Sequence, residues 1–69
     1  MDNITLEING ESRSIPPVSN ILDLLRFLEI AEKYVAVELN RKIIRRQDWE
    51  HTPISDQDKV EIVQFVGGG

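Results

Sequence analysis

Near the start of the chain Ile4, Leu6 and Ile8 alternate with Asn3, Thr5 and Glu7. This is the period-two pattern of a strand with one buried face. Asn9-Gly10 follows and predicts a tight type I′ hairpin turn, because both residues tolerate positive φ. The returning stretch, Glu11 to Ile15, is mostly polar and reads as a sheet edge. Pro16-Pro17 ends the ladder, since neither residue has a backbone N–H to donate.

The period then changes. Ile21, Leu24, Leu25 and Leu28 fall on one helical face, with Asp23, Arg26 and Glu29 elsewhere. Ser19 or Asn20 caps this short amphipathic helix, and Asp23, three residues after Asn20, makes a weaker relative of the capping box. Alternation returns in "YVAVELN", with Val35, Val37 and Leu39 on one face. Asn40-Arg41-Lys42 turns the chain into a brief fourth strand around Ile43 and Ile44. A compact loop or helical turn follows with Trp49 as its one large anchor. Asp56-Gln57-Asp58 makes a last turn, and Lys59 to Phe65 the last strand. The order β-β-α-β-β-β, with a helix crossing over and the last strand returning beside the first, describes an α+β domain of β-grasp (ubiquitin-like) type. Its mixed sheet has about five strands, with one main helix on one face.

Composition narrows the function. At 69 residues the chain makes one domain, expected over residues 1–66 with a glycine tail at 67–69. A domain so small buries only about 60% of the surface of its unfolded chain, so most apolar residues serve the core and few remain for a deep substrate pocket. There is no cysteine, which excludes disulfides, thiolate metal sites and a cysteine nucleophile. It is compatible with a reducing cytoplasm, the expected location. The formal net charge of −4 disfavours nucleic acid as a partner. No apolar run approaches the ~20 residues that span a bilayer, and no signal peptide is apparent at Met1-Asp2-Asn3.

The remaining candidates for chemistry are few. His51 is the single histidine and has Glu50 beside it but no second histidine, so a solvated or structural role outweighs metal binding or general base catalysis. Asp56 and Asp58 are two apart in "SDQDK" and read as turn chemistry rather than as paired acids. Trp49 reads as a plug under a loop. Arg41, Lys42, Arg45 and Arg46 form a basic cluster, read as solvated edge charges that discourage aggregation or as a contact for an acidic partner.

The chain ends "VEIVQFVGGG". If Val60 and Ile62 point to the core, Val63 and Phe65 point outward beside Val66 and form a partner-docking patch, unless a loop covers them. Val66 to Gly69, fully extended, reaches about 13 Å. Gly67, Gly68 and Gly69 present only backbone width and could enter a channel closed to any side chain. A carboxylate at the tip is ionised at neutral pH and resists nucleophiles until it is activated. Taken alone, three glycines equally describe a frayed end.

The β-grasp order, the absence of cysteine and the Gly-Gly terminus after the last strand together resemble the prokaryotic sulfur carriers. Within that ThiS/MoaD-like group the resemblance is to the ThiS family of thiamine biosynthesis. It is carried by "VAVELN", Ile43-Ile44, Arg46, Asp48-Trp49, Thr52, Asp56, Asp58 and "VEIVQFVGGG". Arg41 and Gln57 stand where that family usually has a turn glycine, and Arg45 where proline is expected.

The resemblance implies a protein that is acted upon, not an enzyme, with no bound cofactor. An E1-like (ThiF-type) adenylyltransferase would use ATP and magnesium to adenylate Gly69. A sulfur donor, usually a cysteine desulfurase persulfide, would convert it to a thiocarboxylate. Thiazole synthase (ThiG type) would receive the sulfur. Gly69 would be the reactive residue, Gly67 and Gly68 the slim lead, and Val63, Phe65 and Val66 the docking residues. The alternatives are a small subunit of molybdopterin synthase, a ubiquitin-like modifier, or an interaction module indifferent to its tail.

Overall fold

The computed structural model describes residues 2–65. Five strands, β1 (Ile4–Ile8), β2 (Glu11–Ile15), β3 (Val35–Leu39), β4 (Lys42–Ile44) and β5 (Lys59–Gln64), form one sheet. One helix, α1 (Ile21–Phe27), crosses it. The sheet order is β2-β1-β5-β3-β4. β1 and β5 run parallel at the centre, and the β1–β2, β3–β4 and β3–β5 pairs are antiparallel. This is the mixed β-grasp sheet expected from the sequence.

Each β1–β2 and β3–β4 connection is a two-residue turn. Asn9 and Gly10 have φ of 51° and 83°, and Asn40 and Arg41 have 50° and 71°. Both are left-handed pairs of the I′ kind, whose twist matches that of the flanking strands. Gln57 also has a positive φ, 73°. The two positions where a glycine was missed in the sequence are thus the ones where a side chain is forced into the left-handed region.

α1 begins at Asn20, whose Oδ1 accepts from the Asp23 N–H at 2.8 Å. Asp23 reciprocates one residue early, accepting from Ser19 N–H at 3.1 Å instead of from the cap itself. The helix is one turn shorter than its apolar pattern, because Glu29 turns left-handed at φ 58°. Glu29 N–H then donates to Arg26 C=O and Ile30 N–H to Leu25 C=O, the paired bonds of a Schellman stop. The segment after Trp49 clamps the helix start: Ile21 N–H donates to Thr52 C=O, and Ile54 N–H to Ser19 C=O.

The core lies between α1 and one face of the sheet. Ile21, Leu24 and Leu25 from the helix meet Leu6, Ile8 and Ile15 from the hairpin, and Val37, Val60 and Ile62 from the central strands. Trp49, in a 3₁₀ turn over Arg46–His51, closes one end of this core. It is buried, and its indole N–H donates to the Ile44 carbonyl at 3.0 Å. A second 3₁₀ turn, Glu32–Tyr34, leads into β3. The other face of the sheet carries no helix.

Candidate docking face and tail

β5 places the functional candidates. With Val60 and Ile62 buried, Val63 and Phe65 lie on the opposite parity and are 54% and 59% exposed. No described loop covers them, so both stand on the free face as the alternation implies. The strand itself ends at Gln64. Phe65 is still held, its N–H donating to Tyr34 C=O at 2.7 Å, which continues the β3–β5 ladder one pair further. Val66, Gly67, Gly68 and Gly69 lie outside the described residues, and with them the reactive and tail positions and the third docking residue.

The register adds residues to this face that alternation along one strand could not supply. Val63 lies opposite Ala36, and Glu61 opposite Glu38. Glu38 in turn lies opposite Ile43 on β4. Ile43 is the most exposed large hydrophobic residue among those described, at 73%. The "KIIR" run held the clue, since two adjacent isoleucines on a strand must face opposite ways. Ile44 packs against the core and Ile43 therefore looks out. At the end of β5 a shallow groove of about 220 Å³ runs between Ala31, Tyr34, Val35, Gln64 and Phe65, beside the point where the tail departs.

The other candidates separate. His51 is exposed, and among the described residues no cluster of acidic and histidine side chains has metal-binding geometry. Arg41, Lys42, Arg45 and Arg46 are all exposed. Arg41 borders a pocket with Glu7, Glu38, Lys59 and Glu61, while Arg46 borders another with Leu22, Glu32 and Glu50. The structure therefore does not bring the four cations to one site.

Asp56 and Asp58 do turn chemistry, as expected, but reach further than their own loop. Asp58 accepts from Ser55 N–H at 2.8 Å and from Asn40 Nδ2 at 3.1 Å. Asp56 accepts from Thr5 N–H at 2.7 Å. They tie the last loop to β1 and to the β3–β4 turn. No described helix is long and apolar enough to cross a membrane.

Comparison with known proteins agrees with this geometry. Residues 6–69 match the ThiS family. The sulfur carrier protein ThiS of Bacillus subtilis is 37% identical over 65 residues, covering 93% of this chain and 98% of that protein. A thiazole synthase of Paramagnetospirillum magneticum is 39% identical over 64 residues. That match takes in 93% of this chain but only 20% of the synthase. The crystal structure of a thiamine biosynthesis protein (ThiS) from Geobacter metallireducens superposes with a TM-score of 0.81 at 35% identity, covering 96% of this chain and all of that one. A family match that takes in nearly the whole chain, on the same fold, identifies it: the chain belongs to the ThiS family of sulfur carriers.

Proposed function

We propose that this sulfur carrier works through its last residue. The Gly69 carboxylate attacks the α-phosphorus of ATP on an E1-like, ThiF-type adenylyltransferase, with magnesium neutralising the phosphates, and pyrophosphate leaves. The terminal sulfur of a persulfide, supplied by a cysteine desulfurase or another donor, attacks the acyl carbon and displaces AMP. A thiol then reduces the sulfur–sulfur bond and leaves the thiocarboxylate. A thiazole synthase takes that sulfur into the thiazole ring of thiamine. The carrier provides no base, nucleophile or metal; it provides an activated end and a surface that presents it. The setting is the cytoplasm, where such a persulfide relay is chemically sustainable.

One observation carries this reading: the family match extends through Gly69, so the tail is part of the likeness and not an appendage to it. The free face beside the tail supports it. Val63 and Phe65 are apolar, exposed and adjacent to the departing chain, which suits a partner that grips the body while it acts on the end. Three glycines cost about 3–6 kcal/mol to order in a channel, so contacts with the body must supply much of the binding. The kinship with part of a thiazole synthase supports that enzyme class as the receiver.

The experiment is ATP–pyrophosphate exchange by the cognate activating enzyme. The full chain supports exchange, and a chain lacking Gly68 and Gly69 does not. Equal exchange with both would remove the tail from the chemistry and leave an interaction module.

A further inference from the structure

On the helix-free face, the central row of side chains runs Ile43, Glu38, Glu61 across β4, β3 and β5. The next row is Ala36 and Val63, with Phe65 beyond. Two glutamates therefore stand directly opposite each other between apolar neighbours. Directly opposed residues in an antiparallel pair have Cβ atoms about 4.5–5.5 Å apart, and like charges so placed repel. Among the described residues no cation is in ion-pair contact with either; the one ion pair there is Arg26 with Glu32, at 3.6 Å. Lys59 lies two positions before Glu61 on β5, opposite Glu7 of β1, so the nearest cation on this face has an acid of its own.

Resting on the carrier reading above, we propose that this face is the seat of the thiazole-synthase-type partner. That partner sets an arginine or lysine between Glu38 and Glu61, inside an apolar border made by Ile43, Val63 and Phe65. The free carrier tolerates the repulsion, and the docked carrier has it neutralised. Charge selects this occupant over others. A second copy of the chain would meet the same patch in a two-fold contact, bringing four glutamates together on chains of net charge −4. Nucleic acid and acidic membrane surfaces are repelled for the same reason. A basic protein surface with apolar flanks is what remains. Its position is also the useful one, because the strand that bears Glu61 and Val63 runs on to Phe65 and the tail.

The test is calorimetric titration of the carrier with the thiazole synthase of the same organism, over a series of salt concentrations. Glu38→Gln, Glu61→Gln and the double variant are compared with the wild type, and each free protein is melted alone. The double variant binds about tenfold more weakly at low salt, with a shallower dependence of Kd on salt, yet melts no lower than the wild type. An unchanged Kd and salt slope overturns the proposal, as does a wild type that does not bind. Sulfur loading of the wild type, read by mass, separates the two failures. A loaded carrier indifferent to the glutamates refutes only this docking. A carrier that is never loaded refutes the functional reading itself.

Discussion

The Asn9 side chain serves as an extra peptide unit against Ile62. Its Oδ1 accepts from Ile62 N–H at 2.7 Å and its Nδ2 donates to Ile62 C=O at 3.2 Å, across 53 positions of sequence. The parallel pairing of β1 with β5 stops at Ile8 and Val60, where β1 turns away. The backbone groups of Ile62 that face the departing strand would then lack partners, and Asn9 supplies both. The residue that makes the hairpin turn also completes the centre of the sheet, on the strand that leads to the tail.

Asn9→Gly keeps the positive φ and removes both bonds. It should cost about 1–3 kcal/mol in denaturant unfolding. Asn9→Ala should cost about 1 kcal/mol more, for the left-handed backbone. A neutral Asn9→Gly would mean that water satisfies Ile62 as well as Asn9 does.

Arg41 and Gln57 hold left-handed backbones with side chains attached. Arg41→Gly and Gln57→Gly should each stabilise the domain by about 0.5–1 kcal/mol, the relief of Cβ crowding less the greater chain entropy of glycine. A fall in the unfolding midpoint for both would show that their side chains contribute more than their backbones lose.

Trp49 plugs the core and donates to Ile44. Trp49→Phe should cost about 2–3 kcal/mol, from lost volume and an orphaned carbonyl. Thermal melting followed by circular dichroism checks this, and a loss under about 0.5 kcal/mol would reduce Trp49 to a surface cover.

Two changes separate body from tail in the adenylation assay. Val63→Ser with Phe65→Ser should leave stability within about 0.5 kcal/mol and raise the KM for the carrier about tenfold at unchanged kcat. Gly68→Ala should leave stability alone and lower adenylation by about tenfold or more, because a Cβ obstructs a glycine-wide channel. Normal turnover of Gly68→Ala would remove the steric account of the tail.

The strands were legible because their alternation is clean: Ile4, Leu6 and Ile8, or Val60 and Ile62, leave little choice of face. Trp49 was legible because one large ring in a polar loop has nowhere else to go. Register was not. Period-two patterning tells which residues share a face but not which ones meet, so the Glu38–Glu61 opposition and the place of Ile43 appear only once β3 is set against β4 and β5. Asn9 was hidden by its own sufficiency, since Asn-Gly already explains itself as a turn. Helix length was overread because the apolar spacing continues through Leu28, while the left-handed Glu29, with no glycine to mark it, stops the helix.

The most direct measurement is intact-mass spectrometry of the untagged protein after incubation with ATP, magnesium, a sulfur donor and its activating enzyme. The account predicts a mass change equal to the replacement of one oxygen by sulfur, located by fragmentation at Gly69. An unchanged mass, with an enzyme shown to load another carrier, would contradict it.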